Sequence, residues 1–219
     1  MEIRALKKGG RSSVYTQYKM YIGGEWRDSS NGEVIGVENP ANEEIIATIP
    51  KGTREDAKFA LECAQKAQKE WALLPAQKRA EYVKALAEEL QKNKEYLANM
   101  LTKEQGKPIR EARAEVDGAA LFLSYAAEWA RRIEGDILTS EMQYEQIWIQ
   151  RVPYGVTVGI IAWNFPLALA ARKLGNALVC GNAMIIKPPS DTPITVLEMA
   201  KLAEKVGFPK GILSVITGA

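Results

Sequence analysis

The sequence predicts an α/β fold: a doubly wound, Rossmann-type parallel sheet, truncated after its third strand, preceded by a helical segment and β-rich arms. Three observations carry that expectation. From Val156 onward, apolar runs of strand length alternate with stretches of helical periodicity, giving strand 156–162, helix 166–180, strand 183–187, helix 193–206 and strand 213–217. Upstream, apolar residues recur at helical spacing between Thr53 and Ile133. Before that, residues 19–50 alternate apolar and polar side chains, with Gly23-Gly24, Asn31-Gly32 and Asn39-Pro40 as punctuation, a pattern of short strands and turns.

Taken in order, residues 1–18 form an N-terminal tail, and 19–139 the first strands and helices of a nucleotide-binding domain. Thr53 with Asp56 reads as a capping box that opens a helix to about Leu74, and Pro75 suits the first turn of the next. That second helix carries Tyr82, Val83, Leu86, Leu90, Leu97 and Leu101 before Gly106 and Pro108 end it. A third runs from about Arg110 to Ile133, burying Val116, Ala120, Leu123, Ala127 and Ala130. Residues 140–154, with Tyr144, Ile147, Trp148, Ile149 and Val152, are too rich in aromatic and β-branched side chains for a short helix and read as an extended arm. Residues 155–219 are the βαβαβ half. Right-handed crossovers set the carboxyl ends of its three strands, and so Asn164, Lys187 and Gly218, along one sheet edge.

Composition narrows the chemistry. With 219 residues, 47% of them hydrophobic, the chain can bury a full core, and 29 basic against 27 acidic residues leave a net charge of +2. No long-range field favours nucleic acid, and no apolar run approaches the ~18 residues of a membrane span, so neither is expected as a partner. A cytoplasmic location is the default. There is no histidine, which removes Ser-His-Asp and Cys-His catalysis and histidine-based metal sites; no metal is expected. Of the two cysteines, Cys63 falls within a helical apolar pattern and Cys180 at a helix C-terminus, so both read as structural.

The chemical signal lies in Trp163-Asn164-Phe165-Pro166 and in Lys187-Pro188. An asparagine amide at a strand's end can donate to a developing oxyanion, and a lysine at the end of the next strand can hold a nucleotide ribose or phosphate. Alternatively, Asn164 caps the helix that Pro166 enters, and Lys187 is a solvated strand-end charge. Adding Tyr21-Ile22-Gly23-Gly24-Glu25-Trp26, Glu38-Asn39-Pro40-Ala41, Glu104-Gln105-Gly106-Lys107-Pro108, Arg172-Lys173-Leu174, Gly181-Asn182, Thr192-Pro193 and Phe208-Pro209-Lys210-Gly211, the chain from about residue 19 resembles the N-terminal part of the NAD(P)-dependent aldehyde dehydrogenase superfamily. Within it, the lactaldehyde, glycolaldehyde and succinic-semialdehyde dehydrogenases are most similar.

The resemblance implies oxidation of a small aldehyde to its acid. Asn164 matches the oxyanion donor, a type of contact worth ~3–4 kcal/mol in the transition state. Lys187 matches the lysine on the adenosine ribose, and Ile161, Ala162 and Trp163 match the backbone stretch beneath the coenzyme. Gly218 matches the start of the family's glycine turn. Where NAD-preferring relatives carry a glutamate after the lysine, this chain has Ser190; a carboxylate ~4 Å from a 2′-phosphate would cost a few kcal/mol at an effective dielectric of ~20, so NADP is slightly favoured over NAD. Leu167, Leu169 and Arg172 are candidates for the substrate entrance. The resemblance places the nucleophilic cysteine, the base glutamate and the pyrophosphate-facing helix beyond Ala219. The chain alone is therefore expected to be inactive, with strand 213–217 as an open edge. A homo-oligomer or association with a missing catalytic half is expected. A stand-alone nucleotide-binding or assembly module stays open as the alternative, while the complete tetrapeptide argues against an acyl-phosphate or acyl-CoA reductase.

Overall fold

The computed structural model describes residues 3–8 and 11–218. Eleven strands and six α-helices are assigned among them: β1 (Ile3–Lys8), β2 (Arg11–Gln17), β3 (Met20–Ile22), β4 (Glu25–Arg27), β5 (Val34–Asn39), β6 (Glu44–Pro50), α1 (Arg54–Leu73), α2 (Ala76–Lys92), α3 (Lys94–Gln105), α4 (Ile109–Glu128), β7 (Asp136–Thr139), β8 (Gln146–Ile149), β9 (Val156–Ile160), α5 (Pro166–Val179), β10 (Ala183–Lys187), α6 (Ile194–Val206) and β11 (Leu213–Val215).

Local chemistry explains most boundaries. Thr53 and Asp56 form the reciprocal capping box at the start of α1. Gly106 ends α3 in the left-handed conformation, φ +82°, where a side chain would be strained and a Cβ would meet the Pro40 ring. The long second helix expected from the sequence is two helices, because Asn93 leaves the helical region at φ −103°, ψ 16° and turns its side-chain amide back to the Glu89 carbonyl. The helix expected to reach Ile133 ends at Glu128, followed by one 3-10 turn over Trp129–Arg131.

Among the described residues three sheets form, ordered β1-β2-β6-β5, β4-β3-β11-β10-β9 and β7-β8. The N-terminal segment is more than a tail: β1 pairs antiparallel with β2, and β2 runs parallel to β6. The arm begins before residue 140, because Asp136–Thr139 pairs with Gln146–Ile149 as an exposed antiparallel ribbon. In the five-stranded sheet β10 runs parallel to both β9 and β11, so all three carboxyl ends lie on one edge, as the crossover rule requires.

The expectation of an open edge at strand 213–217 is overturned. β3 pairs antiparallel with β11 through Val215 and Tyr21, the Gly52 amide donates to the Thr217 carbonyl at 2.9 Å, and the Thr217 hydroxyl donates to the Pro50 carbonyl at 2.6 Å. The unpaired edge of the parallel strands belongs to β9, whose Val158 and Ile160 are 62% and 73% exposed. The reason is topological: in a doubly wound sheet the first strand sits at the switch point and keeps a free side for the second half.

α1 packs against β9 and β10; α5 and α6 pack against the sheet and against an outer layer of α2, α3 and α4. The core between helical layers is built from fully buried Leu86, Leu90, Leu97, Leu101, Leu123 and Leu174. Among the described residues, no helix is long and apolar enough to cross a membrane.

Candidate functional site

After β9 the chain leaves the sheet beside the end of β10: the Ile161 amide donates to the Lys187 carbonyl at 3.1 Å, so Ile161 through Asn164 start from a backbone fixed against Lys187. Ile161 is buried, whereas Ala162, Trp163, Asn164 and Phe165 are exposed. The chain then turns at Trp163–Phe165 into α5, with Pro166 in the first helical position.

Asn164 does not cap α5. Phe165 occupies the N-cap position, and the orphan amides of Leu167 and Ala168 donate at 2.9 and 3.2 Å to Glu115, a fully buried carboxylate on α4. The Asn164 carboxamide therefore makes no protein hydrogen bond among the described residues and is open to solvent, while its main-chain carbonyl accepts from the Lys107 ammonium at 2.9 Å. The capping alternative falls because a different acceptor already fills that place.

Lys187 ends β10, half-buried, with no ion pair or side-chain hydrogen bond among the described residues. Ser190 donates its hydroxyl to the Gly218 carbonyl at 2.6 Å, tying the loop after β10 to the segment after β11. Gly218 in turn lies against Gly52, where an added Cβ would meet the Thr217 carbonyl, so the β6–α1 connection passes under the end of β11 with no room for a side chain. The structure thus brings Ile161, Lys187, Ser190 and Gly218 to the carboxyl edge of one sheet. A half-buried ammonium with no carboxylate partner among the described residues suits an anionic or hydroxyl-rich group such as a nucleotide ribose or its phosphate.

α6 also lacks a local side-chain cap, since Pro193 precedes it. Glu104, at the end of α3, accepts from the Ile194 amide at 2.6 Å, the Thr195 amide at 3.0 Å and the Thr195 hydroxyl at 2.6 Å. Burial pushes its carboxyl up to about 7, against the three donors that favour the charged form. Sequence reading passed over Glu104, Lys107 and Glu115 as active parts of this region. A signal existed: Glu115 falls in register with the apolar positions Ala112, Val116 and Ala119, and Glu104 with Leu97 and Leu101, all buried.

A groove of about 350 Å³ beside Asn164 is lined by Glu115, Phe165, Leu169 and Arg172 among others. Leu169 and Arg172 therefore face the region expected for substrate entry, whereas Leu167 is a core residue, 0% exposed. A wider concavity, about 770 Å³ around Tyr18, Trp26 and Lys201, contains none of the candidate residues, and its size alone gives it no chemistry. Cys63 is held by α1 with its thiol pushed up by burial, and Cys180 follows α5 at the end opposite Asn164. Among the described residues no cluster of acidic or thiol side chains could hold a metal ion.

Fold and edge define one half of a doubly wound α/β sheet. Residues 26–219 match the aldehyde dehydrogenase family, and the chain belongs to it. It is 50% identical over 202 residues to 3,6-anhydro-alpha-L-galactose dehydrogenase of Vibrio sp. (strain EJY3), covering 92% of this chain and 42% of that protein. It is 38% identical over 206 residues to lactaldehyde dehydrogenase of Escherichia coli (strain K12), covering 94% and 43% respectively. The solved 3,6-anhydro-L-galactose dehydrogenase, in complex with NADP, superposes with a TM-score of 0.91 at 50% identity, over 93% of this chain and 43% of that one. The solved lactaldehyde dehydrogenase of Escherichia coli superposes with 0.92 at 38% identity, over 94% and 43%. The chain thus spans less than half the length of these relatives. The family is one of oxidoreductases that use NAD(P).

Proposed function

We propose that this chain is the coenzyme-binding portion of an enzyme that oxidises an aldehyde to its carboxylic acid. Asn164 donates its amide to the oxyanion formed at the aldehyde carbon. Lys187 holds the adenosine ribose of NADP or NAD, Ser190 and Gly218 border it, and the backbone of Ile161, Ala162 and Trp163 lies beneath. When bound, the dinucleotide accepts the hydride. The observation that carries this reading is the Asn164 carboxamide, released from helix capping by Glu115 and starting from a strand end locked to Lys187.

The nucleophile has to come from elsewhere. Cys180 sits about 20 Å from Asn164 along α5, and Cys63 lies on another layer. A catalytic portion therefore completes the site, and the free side of β9, with Val158 and Ile160 exposed, is where its sheet continues. The β7–β8 ribbon, whose Ile137, Trp148 and Ile149 are exposed, is the contact between copies in a homo-oligomer. That ribbon also supports the second reading, an assembly module that binds nucleotide without turning it over.

Titration with NADP and then NAD, followed by tryptophan fluorescence, tests the binding half. Trp163 is 63% exposed, and saturable quenching that disappears in Trp163→Phe is the expected result. Lys187→Ala should weaken binding by about tenfold or more, the scale of one charge-assisted contact. No saturable change up to millimolar dinucleotide would remove the proposal. Ser190→Glu should weaken NADP by at least about tenfold relative to NAD through charge repulsion, while Ser190→Ala, which loses only the bond to Gly218, should leave the ratio unchanged. Equal effects of the two substitutions on the ratio would show that Ser190 acts through the loop and not through charge.

A further inference from the structure

The turn carrying Asn164 is held from outside by two side chains that the proposed chemistry does not otherwise use. The Lys107 ammonium pairs with Glu115, donates to the Asn164 carbonyl at 2.9 Å and lies 4.2 Å from the centroid of the Phe165 ring. Its side chain is 9% exposed and that of Glu115 0%. The remaining oxygen of Glu115 takes the Leu167 and Ala168 amides. Lys107 fixes the peptide on the carboxyl side of Asn164 together with the following ring, and Glu115 fixes the first turn of the helix after it. Among the described residues the Asn164 carboxamide has no hydrogen-bond partner.

We propose that Lys107 and Glu115 are a positioning pair that holds the turn Trp163–Pro166 so that the Asn164 carboxamide is presented to the reacting carbonyl oxygen. The pair rests on the oxyanion role given to Asn164 above. A buried ion pair is a poor device for stability alone, because well-packed apolar side chains of similar volume often do as well or better. Its advantage is direction: the ammonium satisfies a carboxylate, one chosen carbonyl and one ring face at the same time, and no apolar side chain can select a carbonyl. An oxyanion donor needs that definition, since the contact counts only when it is aimed before the charge develops.

The test uses the whole 219-residue chain without coenzyme, so it is independent of whether dinucleotide binds. In Lys107→Met, the Asn164 carboxamide and Trp163 indole signals in a 1H–15N spectrum should shift and split into several conformers, while the Leu167 and Ala168 amides, still capped by Glu115, keep their exchange protection. Lys107→Arg, which retains the charge and can reach both oxygens, should restore single signals. Arg113→Met, which removes an exposed pair with Glu95, serves as the control. Asn164 and Trp163 signals in Lys107→Met that match those of the control would overturn the proposal and leave the pair a purely structural contact. If Lys107→Met does not fold, the unsubstituted chain decides: a slowly exchanging Lys107 ammonium signal with nuclear Overhauser contacts to Asn164 and the Phe165 ring is expected, and its absence overturns the proposal equally.

Discussion

Replacing Glu115 with alanine is expected to lower the unfolding free energy by about 3–5 kcal/mol, the cost of stranding one member of a buried ion pair. Three groups lose their partner together: the Lys107 ammonium and the amides of Leu167 and Ala168 at the head of α5. Against a total of roughly 5–15 kcal/mol for a domain, this is a large fraction, read directly as a fall in the urea midpoint. Glu115→Gln should lose only about 2 kcal/mol, because its carbonyl oxygen can still accept from the helix amides while its NH2 group meets the ammonium donor to donor. A Glu115→Ala midpoint within error of the parent chain would mean that the helix terminus and the lysine are served by water.

Glu104→Ala is expected to cost about 3 kcal/mol, from leaving the Ile194 and Thr195 amides buried without an acceptor. Here pH adds a second observable. The folded carboxyl titrates near 7 and the unfolded one at its ordinary value of 4.5, so between those values the folded chain holds a proton that the unfolded chain has released. Stability contributed by this group is therefore fully present below about pH 4.5 and declines as pH rises to about 7, by up to ~3 kcal/mol, then stays level. Carboxylates whose values are lowered, such as Asp56 and Asp117, act in the opposite sense and at lower pH. Comparing the parent with Glu104→Gln isolates this contribution: the stability difference between the two should fall as pH rises from 4.5 to 7. Parallel profiles would show that Glu104 is already ionised across the window, held there by the three donors at the start of α6.

The βαβαβ half was legible in the sequence because its signals are local. Apolar runs between Pro166, Gly181 and Gly207 set the elements, and strand Ala183–Lys187 appears at its expected limits. The capping box at Thr53 was legible for the same reason. What escaped depends on partners distant in sequence. β3 covers β11 from nearly two hundred residues upstream, so no pattern near Val215 could announce it. The break at Asn93 carries neither proline nor glycine. The Asn164 turn and the end of Lys187 were visible as motifs, but what holds them was not: Glu104 and Glu115 look like ordinary surface charges unless one asks why α5 and α6 begin at Phe165 and Pro193 with no cap of their own.

The two buried glutamates also set an order of events. Both belong to helices that leave the ribosome before the segments they serve, so each acceptor is already made when the amides of Leu167 or Ile194 emerge. A polypeptide beginning at Gly155 would keep every strand and crossover of the nucleotide half yet start its two helices on bare dipoles. The outer helical layer is in that sense a built-in folding template, and synthesis from the amino end delivers it first.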